Sequence, residues 1–397
     1  MTSHLTPTAL LTARTSLAAA LDGSGPPVEF TEDGLTVTRP EASDAADDSA
    51  PGAAAVVRTS GSTGTPKQTL LTGEALAASS TATAARLGGE GHWLLALSLH
   101  YVAGLAVLSR SIHAGTTPAL LPPGTFTPEL FAEAASQLPG TGFQAVSLVP
   151  TQLARLLDPA AGTLGVDALR RFDAILIGGA RTPDLIRERA AEADLPLHLT
   201  YGMSETCGGC VYDGVPLDGV RADLVPDPES GTPRLRLSGP MVAAGYLSDP
   251  ERTAAHFGTG TPADPTARWY LTEDTGTVTD REDGTQLLTV TGRVDDVINT
   301  GGIKVSAARI QQVLEQVPGV RAAFAAGLPD DDWGQRVCAA VALDSGEWDE
   351  RGAAEAIRAE LGPAAVPKTW LTLDELPLLA NGKTDRQTLI ARLAGQR

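Results

Sequence analysis

The chain has 397 residues, of which 42% are apolar, enough for two or three domains around a large core. Its 30 basic and 48 acidic side chains leave a net charge of -18. That balance excludes a nucleic-acid backbone as an extended partner but not a nucleotide held in a local pocket. No apolar run reaches the length of a membrane span, and the N-terminal MTSHLTPTALLTARTSLAAALDGSG lacks a basic stretch followed by a continuous apolar core. No membrane insertion and a cytoplasmic location are therefore expected. Cys207, Cys210 and Cys338 are too few for a disulfide framework, which fits a reducing compartment. The C-x-x-C spacing of Cys207 and Cys210 has no second pair or neighbouring histidine to complete a metal site.

In chain order, a helix is predicted over Pro7–Leu21, then a strand pair at 28–30 and 35–37 around the turn 32–34. A Pro/Ala/Asp-rich connector, 39–52, should stay on the surface. The apolar run 53–57 reads as a buried strand and 73–85 as a helix. Between them lies T-S-G-S-T-G-T-P-K (59–67). Gly61 and Gly64 allow positive φ and close backbone approach, while Thr59, Ser60, Ser62, Thr63 and Thr65 carry hydroxyls and Lys67 a compact charge. Such a loop between strand and helix suits a polyphosphate. It differs from the common G-x-x-x-x-G-K-[ST] loop, because Thr65-Pro66 separates glycine from lysine.

Further strands are predicted at 93–97, 117–121, 145–148 and 174–178, and helices at 104–113, 128–137, 150–157 and 183–193. This alternation gives an α/β fold with a mostly parallel, doubly wound sheet over about 53–196, whose ligands sit at the carboxyl ends of the strands. Loops 99–104 (L-H-Y-V-A-G) and 177–180 (I-G-G-A) fall at such ends. From about 197 to 294 the texture is β-rich. The stretch 295–397 reads as a small α+β domain, with helices at 306–315 and 350–361 and strands at 320–328 and 337–343. No internal repeat is evident. The expected division is thus a large domain, 1–294, and a small one, 295–397.

Lysine usage is sparse: Lys67, Lys304, Lys368 and Lys383 stand against twenty-six arginines. A lysine kept in such a background reaches single oxygens in tight places where a planar guanidinium does not fit. Four further motifs accompany the 59–67 loop. They are Tyr201-Gly-Met-Ser-Glu205, Tyr270-Leu-Thr-Glu-Asp274, Gly292-Arg-Val-Asp-Asp296 leading to Gly301-Gly-Ile-Lys304, and Ala380-Asn-Gly-Lys383.

In this order and spacing the motifs resemble the adenylate-forming superfamily of acyl-CoA synthetases, peptide-synthetase adenylation domains and luciferases, over about residues 53–397. The resemblance implies ATP, Mg2+ and CoA as cofactor and co-substrates. It implies that Thr59, Ser60, Gly61, Ser62, Thr63, Gly64 and Lys67 cradle the pyrophosphate end of ATP, and that Gly178, Gly179, Ala180 and Tyr201, with Gly202 and Met203, enclose the nucleotide. Ser204 would contact the α-phosphate, Glu205 would hold Mg2+, and Asp274 would take the ribose hydroxyls with Arg293 beside it. Asp295 matches the hinge of a mobile C-terminal lid. Lys383 matches the lysine that reaches carboxylate and α-phosphate, and Gly301 and Gly302 line the CoA path. Stretches 98–112 and 201–220 look most like o-succinylbenzoate-CoA ligases of menaquinone biosynthesis, in the short actinobacterial form that lacks most of the N-terminal subdomain. In that reading His100, Gly104, Cys207, Gly208 and Gly209 form the acyl pocket, the glycines leaving room for a planar aromatic acid. Arg110 is a candidate for the second carboxylate or an ordinary surface arginine. Other acyl-CoA ligases, an adenylation domain loading a carrier protein, and a non-catalytic nucleotide-binding protein of the same fold are the alternatives; a homo-oligomer is compatible with each.

Overall fold

In the computed structural model, residues 5–31, 37–38, 51–59, 67–227, 232–343, 348–379 and 384–396 are described. Helix α1 (Pro7–Leu21) starts on a proline, and the Thr6 hydroxyl accepts from Ala9 N–H at 3.2 Å. Its buried residues, Leu10, Ala13, Leu17 and Ala20, recur at spacings of three and four, so one face is apolar. Strands β1 (Val28–Phe30), β2 (Val37–Thr38), β3 (Ala53–Thr59) and β4 (Lys67–Thr72) follow. They form a sheet in the order Gly245–Tyr246, β4, β3, β1, β2, in which β1 and β3 are parallel and the other pairs antiparallel.

This corrects the strand–loop–helix expectation for 59–67. The segment joins two antiparallel strands, with Thr59 opposite Lys67 in register. Thr69 and Leu71 are fully buried, and antiparallel pairing with β3 holds the K-Q-T-L-L-T run after the loop as a strand. Only then does α2 (Gly73–Leu87) begin, with Thr72 accepting from Ala75 N–H at 3.1 Å and Gly88 closing it at φ 76°.

The second sheet is built from β5 (Gly91–Leu95), β6 (Ala119–Leu120), β7 (Phe143–Leu148), β8 (Ala174–Ile177), β9 (Leu197–Met203), β10 (Gly208–Tyr212) and β11 (Val215–Pro216). Its order is β11-β10-β9-β8-β7-β5-β6. Strands β6, β5, β7, β8 and β9 run parallel, and β10 and β11 add an antiparallel edge. The intervening helices are α3 (Val102–His113), α4 (Pro128–Ser136), α5 (Pro150–Leu156), α6 (Leu164–Leu169) and α7 (Asp184–Glu192). Leu94, Val146 and Ile175 from the strands meet Phe131, Leu153 and Leu169 from the helices in one buried cluster. Helix α6 has no counterpart in the sequence reading: six residues with a glycine at the second position give too little periodicity to register. The connector 39–52 lies largely outside the described residues.

The chain divides into two compact units, the first comprising Met1–Asp223, Arg236–Thr272 and Val278–Leu288, the second Leu224–Leu235, Glu273–Thr277 and Thr289–Arg397. Segments that the sequence reading assigned to the large domain, among them those carrying Asp274 and Arg293, thus group with the C-terminal residues. In the second unit, Ile303–Ser306, Val297–Thr300, Gly334–Leu343 and Val320–Asp330 are consecutive antiparallel neighbours, and Thr369–Leu373 pairs parallel with Gly334–Leu343. Along Val320–Asp330 the side chains alternate between two cores. Ala323 and Ala325 pack with Ile310, Leu314 and Ile357 of the helices Ala307–Glu315 and Glu350–Leu361. Phe324 and Ala326 pack with Leu389 and Leu393 of Arg386–Ala394. That last helix went unread in the sequence, although Asp385 caps it by accepting from Thr388 N–H at 3.1 Å and its buried leucines are spaced four apart.

Candidate active site

Because β5, β7, β8 and β9 are parallel, the segments that follow them emerge at one edge of the sheet. They are 96–101 with His100, the start of α5, Gly178–Gly179–Ala180, and the turn at Ser204. Four of the motifs singled out above lie in the first unit: Thr59 at the end of β3 and Lys67 at the start of β4, His100, Gly178–Ala180, and 201–205. Residues 60–66, which include Ser60, Gly61, Ser62, Thr63 and Gly64, and 380–383 with Lys383, lie outside the described residues.

The turn between β9 and β10 carries the densest geometry. Ser204–Thr206 is one turn of 3-10 helix, Cys207 sits in the left-handed region at φ 53°, and β10 folds back so that Met203 faces Gly208 and Gly202 faces Gly209. A Cβ on Gly202 would lie 2.0 Å from the Gly208 carbonyl oxygen, and one on Gly178 2.4 Å from Thr200 Oγ1. Both glycines are demanded by the fold itself. Thr206, which the sequence reading passed over, ties the turn together: its hydroxyl accepts from Met203 N–H at 3.0 Å and donates to the Gly208 carbonyl at 2.8 Å. Tyr201 lies on β9 as the partner of Val211.

Ser204 and Glu205 are buried, with 6% of Glu205 exposed. A carboxylate so placed needs partners. One is Tyr246, whose hydroxyl donates to Glu205 Oε1 at 2.7 Å. Tyr246 also lies 3.4 Å from the Tyr270 hydroxyl, and Lys67 Nζ stands 5.6 Å from the centre of its ring. Burial, and then the neighbouring Glu205 charge, hold the Tyr246 phenol well above its ordinary value, so it remains a proton donor. Tyr246 is a partner of Glu205 that sequence reasoning missed. Its only signal was a hydroxyl-bearing aromatic in the apolar run M-V-A-A-G-Y-L (241–247).

No group of three or more His, Cys, Asp or Glu side chains suited to a metal ion occurs among the described residues. A magnesium ion is commonly held by one or two carboxylates together with substrate phosphates. A single buried carboxylate, Glu205, oriented at one oxygen by Tyr246, fits that donor set.

Around His100 the structure revises the reason given for a glycine. Ser98 Oγ is 2.7 Å from His100 Nδ1, and the imidazole is 3.8 Å from the Tyr101 ring centre. A Cβ on Gly104 would lie 2.2 Å from the Ser98 carbonyl oxygen. The space is taken by the chain's own backbone, where α3 starts against residues 97–98. Gly209 is likewise hemmed by Tyr212 and Thr200, and Gly208 has φ 103°. Cys207 is fully buried, with its carbonyl accepting from Ser79 Oγ at 3.4 Å. Arg110 is not a surface residue: 7% of it is exposed, beneath Trp93.

In the second unit Arg293 Nη1 donates to Asp274 Oδ1 at 3.3 Å. Val294 N–H donates to the Glu273 carbonyl at 2.8 Å, so backbone and side chains tie the two segments together. Asp295 belongs to the 3-10 turn Val294–Asp296, and its neighbour Asp296 pairs with Arg386. Gly301 and Gly302 have φ 58° and 80° and turn the chain between two strands; Gly301 N–H donates to the Trp333 carbonyl at 2.9 Å. A Cβ on Gly301 would strike the Trp333 ring at 2.7 Å.

Comparison with known proteins bears on this arrangement. The pattern of the AMP-binding enzyme family matches residues 6–247, and that of the AMP-binding enzyme C-terminal domain matches 309–383. The chain is 41% identical over 351 residues to a probable 2-succinylbenzoate–CoA ligase of Mycobacterium tuberculosis, spanning 86% of this chain and 85% of that one. ATP-bound MatB of Rhodopseudomonas palustris superposes with a TM-score of 0.71 at 25% identity, over 91% of this chain and 71% of that one. The o-succinylbenzoate CoA synthetase MenE of Bacillus subtilis, in complex with AMP, superposes with a TM-score of 0.68 at 24% identity, over 91% and 74%, a likeness of fold. The chain belongs to the AMP-binding enzyme family, as an AMP-forming acid–CoA ligase.

Proposed function

We propose that this protein activates o-succinylbenzoate with ATP and transfers the acyl group to CoA, giving o-succinylbenzoyl-CoA, AMP and pyrophosphate. The observation that carries the substrate is the 41% identity, over most of both chains, to the probable 2-succinylbenzoate–CoA ligase. In the first half-reaction a carboxylate oxygen bonds to the α-phosphorus as the bond to the β-phosphate oxygen breaks. In the second, the CoA sulfur bonds to the acyl carbon, AMP leaves, and the thiol proton passes to solvent. Neither step needs a side-chain nucleophile, so the protein's task is positioning and charge stabilisation.

For that task we assign Thr59–Lys67 to the pyrophosphate end, Gly178–Ala180, Tyr201, Gly202 and Met203 to the base, and Ser204 to the α-phosphate. Asp274, with Arg293, takes the ribose, and Lys383 takes the carboxylate and α-phosphate in adenylation. Glu205 would hold Mg2+, which when bound supplies positive charge against the phosphates. Support comes from its burial and its bond from Tyr246. We assign His100 to the junction of acyl group and thiol, and Gly301 and Gly302 to the CoA path. Asp295 is assigned to the hinge of a mobile C-terminal lid. No described helix is long and apolar enough to cross a membrane, and Cys207, Cys210 and Cys338 are free thiols; we place the reaction in the cytoplasm.

The deciding experiment is mass-spectrometric detection of the CoA product from o-succinylbenzoate, ATP and CoA, beside a panel of aryl, fatty and dicarboxylic acids and a phosphopantetheinylated carrier. Turnover of another acid with o-succinylbenzoate inert, or transfer to the carrier but not to CoA, would overturn the assignment.

A further inference from the structure

Arg110, in the third turn of α3, carries a full charge that the assigned chemistry does not use. Its guanidinium stands 5.1 Å from the Trp93 ring centre, and Nη2 donates to the Tyr212 hydroxyl at 3.4 Å. Nε–H is buried without a hydrogen-bond partner, and Arg110 makes no ion pair among the described residues. Burying a guanidinium against neutral groups alone is costly, and the indole face offsets only part of that cost.

Beside it lies a hollow between α2, α3 and the start of β5, partly open to solvent and lined by Ser80, Thr83, Glu90, Trp93, Arg110 and His113 among others. It has room for about one water molecule. The protons around it can be followed. Tyr212 accepts from Arg110 and lies 3.2 Å from Thr83 Oγ1, a contact in which either hydroxyl can donate. The proton of Arg110 Nε has no partner among the described residues. Ser80 spends its proton on the Leu76 carbonyl at 2.8 Å. His113 Nε2 sits at the rim, 3.4 Å from Thr81 Oγ1 and 3.9 Å from the half-exposed Glu90 carboxylate. An unpartnered donor and a buried positive charge line a space that wants an acceptor. A water molecule satisfies the donor but leaves the charge; a small anion does both. The Glu90 charge at the rim disfavours a divalent occupant.

We propose that this hollow is a binding site for a small monovalent anion of the chloride class, which joins α2, α3 and β5. It stands apart from the site of activation: Gly91 opens β5, whereas His100 follows its carboxyl end.

Two measurements on the full chain test the proposal. Crystals soaked in bromide should show an anomalous peak within hydrogen-bonding distance of Arg110 Nε. In thermal melts at constant ionic strength, replacing gluconate by chloride should raise the melting temperature of the wild type by about 2–4 °C. The rise should vanish in Arg110→Gln. If Arg110→Gln does not fold, Thr83→Val carries the comparison and should weaken the chloride response. No bromide peak, or a chloride response equal in wild type and variant, overturns the proposal; a bromide peak without any chloride-dependent shift marks an adventitious ion only and overturns it too.

Discussion

Tyr246→Phe isolates a single bond in the site. The phenol donates to Glu205 Oε1 at 2.7 Å in a buried setting, and a hydrogen bond to a charged acceptor contributes about 1.5–3 kcal/mol. The ring stays, so its edge contact with Phe257 at 5.2 Å and the face beneath Lys67 survive the change. What is lost is the direction in which the Glu205 carboxylate is held. If that orientation is needed chiefly when charge builds at the α-phosphorus, the full bond energy appears in the adenylation step, a fall of about 10- to 150-fold in its kcat/KM. The apparent half-saturating Mg2+ concentration should rise alongside. The assay is acid-dependent pyrophosphate exchange across a Mg2+ titration, paired with thioester formation from preformed acyl-adenylate. Wild-type exchange at every Mg2+ concentration, or equal losses in both half-reactions, would refute the reasoning; a change confined to the melting temperature would leave Tyr246 a packing residue.

Lys383→Ala should reduce adenylation by about 100- to 1000-fold, the usual consequence of removing one group that stabilises developing charge, and should largely spare thioester formation from preformed adenylate; matching losses in both steps contradict its assigned role. Gly202→Ala should lower stability by about 1–3 kcal/mol or more, because its Cβ would meet a backbone carbonyl at 2.0 Å rather than a movable side chain; an unchanged melting temperature would show that the turn between β9 and β10 is looser than described. Burial pushes the Cys210 thiol up to about 12 and Cys207 higher still, and it also raises Cys338. A thiol reagent at pH 8 should therefore modify none of the three in the native protein and all three after unfolding, and rapid native labelling of Cys207 or Cys210 would revive a redox reading of their spacing.

The sequence was legible where period and punctuation agreed. The helix Pro7–Leu21 and the parallel strands around 145–148 and 174–177 announce themselves because burial on both faces demands continuous apolar runs between proline- and glycine-marked turns. The 59–67 loop was read into the wrong connection because K-Q-T-L-L-T is short, and its strand identity is set by pairing with β3 rather than by local preference. Tyr246 escaped for a related reason. Its partner Glu205 lies forty-one positions earlier, and only the pairing of Gly245–Tyr246 with β4 brings the hydroxyl to the carboxylate. Asp274 and Arg293 were found because each stands in a motif, yet their ion pair depends on a backbone bond between Val294 and Glu273 that no spacing rule encodes.

Glycine shows where a motif stops informing about substrate. Gly104, Gly202 and Gly178 would each drive a Cβ into the chain's own backbone or a neighbouring threonine, at 2.2, 2.0 and 2.4 Å. Their presence is explained before any ligand enters, so a glycine at these positions is as necessary for one acid as for another. Selection of the acid must then rest on side chains that reach the acyl group, and on how they are held. His100 is the residue proposed for that role, and its Nδ1 lies 2.7 Å from Ser98 Oγ. That contact engages Nδ1 and directs Nε2 away from Ser98. A substrate survey in Ser98→Ala and His100→Asn would therefore say more about acid choice than enlarging any of the glycines, since the former test the proposed role of His100 while the latter first disturb the fold.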